Sequence, residues 1–150
     1  VFYGAEFLRT ACAELGYWRW RFVQASQGLR ELNATPHTLF QVAIETRGLD
    51  LRRPPYRQHR SRWTHPEDYA PTQALAREAR QAQAGALLYE SVRDPEHAAC
   101  AAVFSPAAFR PLRPLAEQRW FLTVTPSAAL WTRDKVEFQF PFSPCAPSSS

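Results

Sequence analysis

The stretch "GALLYESVRDP" (85–95) decides how the rest of the chain is read. After Gly85 an apolar run climbs through Leu87, Leu88 and Tyr89, then ends abruptly in Glu90-Ser91 and breaks at Asp94-Pro95. Its length and apolar character predict a strand over 86–92. A buried-looking strand that delivers a small hydroxyl and an arginine at its end often uses that end to hold something. Downstream, "AACAAVF" (98–104) predicts a partner strand over 99–104, on the far side of the Asp94-Pro95 turn. Upstream, "PTQALAREARQAQ" (71–83) reads as a helix, opened by Pro71 where proline is tolerated and ended by Gly85.

Working outward, "VFYGA" (1–5) predicts a short strand. A helix follows over about 6–24, with Leu8, Ala11, Cys12 and Leu15 at helical spacing. "TLFQVAIE" (38–45) alternates, placing Phe40, Val42 and Ile44 on one face of a strand. The basic, proline-containing stretch 47–71 reads as a long loop, and loops of that length are commonly functional. "RWFLTVT" (119–125) and "KVEFQFPF" (135–142) add strands, the second with Val136, Phe138, Phe140 and Phe142 on one face. Few helices among strands joined by short turns give an α+β class with a mixed or antiparallel sheet. No repeat and no linker divides the chain, so one domain is expected over 1–142, with a fraying tail over 143–150.

Composition narrows the function classes. The 150 residues, 45% hydrophobic and 21% charged, suit a single globular domain. No apolar run reaches membrane-span length and no secretory leader pattern is present, so a cytoplasmic location is expected. Without a methionine, Val1 is not a translation start, and the chain is expected to be a fragment that lacks upstream residues. The net charge of +4 rests on 17 arginines against one lysine, a bias that genome composition can produce. Cys12, Cys100 and Cys145 form no C-x-x-C, and the four histidines show no metal-ligand spacing. Reduced, buried thiols and no metal are expected.

Four residues stand out as site candidates. Glu14 has Thr10, Ala11, Tyr17 and Trp18 as its helical neighbours, so the i,i+4 ion pair that normally explains a helical glutamate is missing. Its aromatic face-mates suit a carboxylate set against a bound cation. Tyr3, in the first strand, is either ordinary core packing or a ring that stacks on a planar ligand. Ser91 is either a turn hydroxyl bonding nearby backbone or part of a site wall, and Arg93 either a solvated loop arginine or an anion contact.

Their order matters more than any one of them. "FYGAE", "TACAE", "GLDL", "TQALAREAR" and "GALLYESVR" follow one another along the chain, and together they resemble the RES domain family. That family is named for an arginine, a glutamate and a serine. Its typical pieces are a Y-x-A strand, a T-A-x-x-E helix, an L-D-L segment, a Q-x-L-A-x-x-A-R helix and a G-x-x-Y-x-S-[VA]-R strand ending. Each piece is weak alone; the five in order, from Val1 to about Phe142, carry the resemblance.

The resemblance implies an ADP-ribosyltransferase-like fold around a cleft, and a toxin that consumes NAD⁺ as substrate, with no separate cofactor. It implies cleavage of the nicotinamide–ribose bond by a phosphorylase, glycohydrolase or transferase route, and neutralisation by an Xre-like antitoxin protein. By position, the family's glutamate falls on Glu14, its serine on Ser91 and its site tyrosine on Tyr3, with Arg93 as a further substrate contact. The family's arginines are expected upstream of Val1.

Two rival readings remain open at this point. "LRRPPYRQHRSRW" (51–63) interleaves arginines with Tyr56 and Trp63, as a single-stranded nucleic-acid surface does, although a solvated basic loop is the preferred reading. Alternatively, a catalytically inactive RES-like domain serves as a partner-binding module.

Overall fold

The computed structural model describes residues 1–143, so the expected tail and Cys145 lie outside the described residues. Within them, eight strands and three α-helices run in the order β1 (Phe2–Ala5), α1 (Leu8–Ala25), β2 (Leu32–Gln41), β3 (Gly48–Asp50), α2 (Arg60–Trp63), α3 (Ala70–Gln81), β4 (Ala86–Glu90), β5 (Ala99–Val103), β6 (Ala116–Val124), β7 (Ala128–Arg133) and β8 (Val136–Pro141). The class is α+β, as the sequence indicates. The strands make two four-stranded sheets, β1-β5-β4-β3 and β2-β6-β7-β8.

The chain divides into two compact units, each built from separated segments: Val1–Ala11 with Phe40–Ala116, and Cys12–Leu39 with the segment from Glu117 onward. No linker marks this division because α1, β2 and β6 each run through a boundary.

In the first unit, β5 pairs antiparallel with both β1 and β4, while β3 lies parallel to β4. A parallel neighbour needs a crossover, and the chain from Leu51 to Gly85, carrying α2 and α3, supplies it. One face of this sheet is covered by a cluster of Leu51, Leu87 and Ala102, against which Tyr56, Trp63, Leu75 and Ala76 pack. The other face holds Ala86, Val103 and Ala108 with Phe2 and Phe109.

The stretch expected as a loop is therefore largely ordered. Leu49 and Leu51 face the core, and Tyr56 opens a 3-10 turn (Tyr56–His59) that runs directly into α2. Trp63 Nε1 donates to the Tyr56 carbonyl at 2.9 Å. Two helical turns of four residues each are too short to show a period in sequence, which is why they read as irregular.

In the second unit, β7 pairs antiparallel with β6 and β8. Trp131, Leu122, Val124, Ala129 and Phe140 are buried from these strands, and Cys12, Ala13, Tyr17, Trp20 and Val23 from α1. Gly16 lets the helix backbone approach β7 closely: a Cβ there would lie 3.0 Å from Ala129 Cβ and 3.2 Å from Trp131 Nε1. Trp131 Nε1 donates to the Cys12 carbonyl and Trp20 Nε1 to the Pro126 carbonyl, both at 2.9 Å. Both indoles thereby bury their rings without orphaning a donor.

Two further sequence expectations are corrected, and one element is new. The helix is present and Cys12 is buried as its spacing suggests, but Leu8, Ala11 and Leu15 are only partly buried, and the rest of the buried stripe runs through Thr10, Ala13, Tyr17, Trp20 and Val23. The strand expected over 38–45 is Leu32–Gln41 instead, leaving Ile44 in an isolated bridge with Phe109. It contains Pro36, which a strand tolerates at a sheet edge, and β2 is an edge. Finally, β7 had no counterpart in the sequence reading.

Candidate functional site around the Ser91 turn

Arg9, Thr10, Ser91, Arg93 and Asp94 of the first unit meet just past the end of β4, whereas Tyr3 lies level with the start of that strand. Along β1, Tyr3 stands opposite Ala102, which in turn faces Leu87, and Leu87 faces Leu49. Side chains alternate along a strand, so Tyr89 and then Ser91, just past the end of β4, emerge on the same side as Tyr3. The sheet thus brings Tyr3 and Ser91 to one face. Tyr3 is 69% exposed there, whereas Ser91 is completely buried.

Ser91 organises the turn that follows it. Its Oγ accepts the backbone N–H of Asp94 at 2.9 Å and of Arg93 at 3.2 Å. The Ser91 N–H donates to the Ala98 carbonyl, and the Ser91 carbonyl accepts from His97 Nδ1, each at 2.9 Å. A carbonyl only accepts, so that contact fixes the proton on Nδ1 of His97. His97 itself holds a positive φ of 53°, the cost of closing the turn.

Asp94 is the residue that the sequence reading undervalued. Read as half of an Asp-Pro break, it is in fact a buried hub with only 1% of its surface exposed. Arg9 Nη1 donates to Oδ1 and Thr10 Oγ1 to Oδ2, both at 2.7 Å, and the Glu96 N–H donates to Oδ1 at 3.1 Å. Burial alone would raise its pKa. The bonds from Thr10 and Glu96 and the charge of Arg9 outweigh that effect and hold the carboxyl below its ordinary range. The available signal was indirect: Thr10 belongs to "TACAE" and Asp94 directly follows "ESVR", so two of the motif pieces meet through this contact.

Arg93 braces a neighbouring segment. Its Nη2 donates to the Pro66 carbonyl and, at 3.0 Å, to the Tyr69 hydroxyl. That segment is itself folded round His65, whose Nδ1 accepts the N–H groups of Asp68 at 2.7 Å and Glu67 at 3.2 Å. Asp50, the centre of "GLDL", is engaged by Arg52 through Nε, Nη2 and the backbone N–H. Its pKa is lowered chiefly by the Arg52 side-chain bond. Glu14 sits half-buried on α1 in the second unit.

The basic stretch has a specific structure. Tyr56 and Trp63 pack against the first unit's core rather than standing clear as stacking platforms. Arg52 pairs with Asp50 and Arg60 with Glu90. Cys12 and Cys100 are buried cysteines. Among the described residues, no helix is long and apolar enough to cross a membrane.

An α+β domain in which "TACAE" meets the turn after "GALLYESVR" through the Thr10–Asp94 bond, with the exposed Tyr3 ring on the same sheet face as Ser91, defines the class of protein. The RES domain family model matches residues 1–124, and the chain belongs to the RES domain family. That family is generally linked to NAD⁺-related toxin function. No curated protein matches the chain.

Proposed function

We propose that this chain is an NAD⁺-consuming toxin that cleaves the nicotinamide–ribose bond, and that a cognate Xre-like antitoxin protein neutralises it. The observation that carries the reading is the family match over residues 1–124, which includes Tyr3, Glu14, Ser91 and Arg93.

Breaking the glycosidic bond builds positive charge on the ribose in an oxocarbenium-like transition state. In this mechanism the Glu14 carboxylate stabilises that charge and orients the attacking group. Tyr3 presents its exposed ring to the nicotinamide, and Arg93 acts on the amide or phosphate oxygens from the turn that the buried Ser91 holds. Phosphate, water or a protein side chain takes the ribosyl group, giving a phosphorylase, glycohydrolase or transferase outcome. NAD⁺ is substrate here, not resident cofactor. The inward packing of Tyr56 and Trp63 speaks for this reading over a nucleic-acid surface.

Nicotinamide release from NAD⁺ tests it, followed with and without phosphate, beside a Glu14→Gln variant. Release that Glu14→Gln abolishes is expected, and phosphate dependence separates phosphorolysis from hydrolysis. Undiminished release from the variant removes Glu14 from the mechanism. Silence of the wild-type protein overturns the enzyme reading in favour of a partner-binding module.

A further inference from the structure

We infer that Asp94 is the positioning residue of this site, fixing the turn that carries Ser91 and Arg93 through its bonds to Thr10 and Arg9. The inference rests on the reading above for its catalytic consequence, but the positioning itself is a property of the first unit.

The argument begins from what the turn needs. Ser91 Oγ already accepts two N–H groups, so a short turn is closed locally without any buried charge. Placing a carboxylate in the interior adds a desolvation cost that an apolar or amide side chain would avoid. What the carboxylate contributes is reach: Oδ2 to Thr10 and Oδ1 to Arg9, residues 84 and 85 positions away in the first turn of α1.

Every polar group of Asp94 is committed. Both carboxylate oxygens accept, its N–H donates to Ser91 Oγ, and its carbonyl accepts the His97 N–H at 2.9 Å. Ser91 Oγ therefore has its direction set by an N–H whose own residue is pinned from the far side. Arg93, the preceding residue, shares the same hydroxyl acceptor. A displacement of Asp94 is transmitted to both. Such a residue touches no substrate; it acts through Ser91 and Arg93.

Thr10→Val tests this with little change of shape, removing one donor while Arg9 still neutralises the carboxylate and the Glu96 N–H still donates to it. Two readouts are taken on the same protein. In native-state hydrogen exchange, the amides of Arg93, Asp94 and His97 are expected to exchange at least about tenfold faster in Thr10→Val, while those of Leu122 and Leu130 are unchanged. In nicotinamide release, kcat is expected to fall by about ten- to a hundredfold, since misplacing a site group by about 1 Å has that scale of effect. Thr10→Ser, which keeps the donor, is expected to restore both.

A uniform rise in exchange across both units would mean general destabilisation and would overturn the inference, as would unchanged exchange at the three turn amides. Faster turn exchange with unchanged kcat also overturns it, since the turn would then move without consequence. If wild type releases no nicotinamide, the proposed function falls; the local exchange response then still decides whether Asp94 positions this turn.

Discussion

Thr10 Oγ1 donates to Asp94 Oδ2 at 2.7 Å across 84 residues of sequence, and each residue keeps only 1% of its surface exposed. The bond joins the first turn of α1 to the turn after β4. Arg9 neutralises the same carboxylate at 2.7 Å while keeping 35% of its own side chain in solvent. The arrangement is a buried charge with one wet partner, and its energetics follow from that asymmetry.

Asp94→Ala leaves the Thr10 hydroxyl without its acceptor and Arg9 without its carboxylate. Removing one partner of a buried ion pair costs about 3–5 kcal/mol. Arg9 can turn to water, so a loss near about 3 kcal/mol is expected in urea unfolding.

Acid unfolding carries a second signature of the same residue. The carboxyl is held below its ordinary value in the folded state, so the stability it adds is complete above the unfolded value of about 3.9. That stability is lost as pH falls through the lower, folded value. Asp94→Asn should therefore flatten the fall of urea midpoints below about pH 4. An unaltered acid limb would show that Asp94 does not titrate with folding.

Cys12 makes the opposite prediction at high pH. Burial pushes its thiol up to about 12, whereas an unfolded thiol ionises near about 8.5. The unfolded chain releases this proton first, so the stability is complete below the unfolded value and is lost as pH rises toward the folded one. Relative to Cys12→Ala, wild type should lose about 1 kcal/mol between pH 8 and pH 9.5. Alkylation at pH 8, located by peptide mass, should reach Cys12 only on unfolding.

Gly16 tests how tightly α1 sits on β7. Alanine gains about 1 kcal/mol of helix propensity over glycine. The new methyl, however, meets Ala129 Cβ at 3.0 Å and Trp131 Nε1 at 3.2 Å. Overpacking of this kind costs about 1–3 kcal/mol. Gly16→Ala should therefore destabilise by about 1 kcal/mol despite the favourable propensity, and Ala129→Gly in that background should recover part of the loss. A more stable Gly16→Ala protein would show that the two elements can separate at little cost.

The legible parts of this fold were those with local patterns. β4 and β5 were readable because an apolar run, an Asp-Pro break and a second apolar run lie within twenty residues, and α3 because proline and glycine mark its ends. β7 went unread because "AALWTR" offers only Ala129 and Trp131 as its fully buried side chains, too few to show alternation. β2 was misplaced because Pro36 argues against a strand until the strand is known to be an edge. Motif order singled out Tyr3, Glu14 and Ser91 as candidates. Asp94 was not singled out, because its role depends on Thr10 and Arg9, and no spacing rule links residues that far apart. The two-unit division was equally hidden, since each unit takes segments from both halves of the chain.

Tyr3 offers the cleanest separation of binding from folding. Its ring is 69% exposed on edge strand β1, so truncation removes little buried surface. Exposed substitutions of this kind usually stay within about 0.5 kcal/mol of wild-type stability. If the ring stacks on nicotinamide, Tyr3→Ala should weaken NAD⁺ recognition by about 1–3 kcal/mol, the scale of aromatic stacking on a base, or about 5- to 150-fold in KM. Tyr3→Phe keeps the π-face and should stay close to wild type, whereas a hydroxyl-dependent role would make it resemble Tyr3→Ala. Thermal unfolding beside steady-state nicotinamide release distinguishes these outcomes. A Tyr3→Ala protein with wild-type KM and kcat would remove the ring from the site altogether, leaving its exposure to be explained by a partner that covers β1.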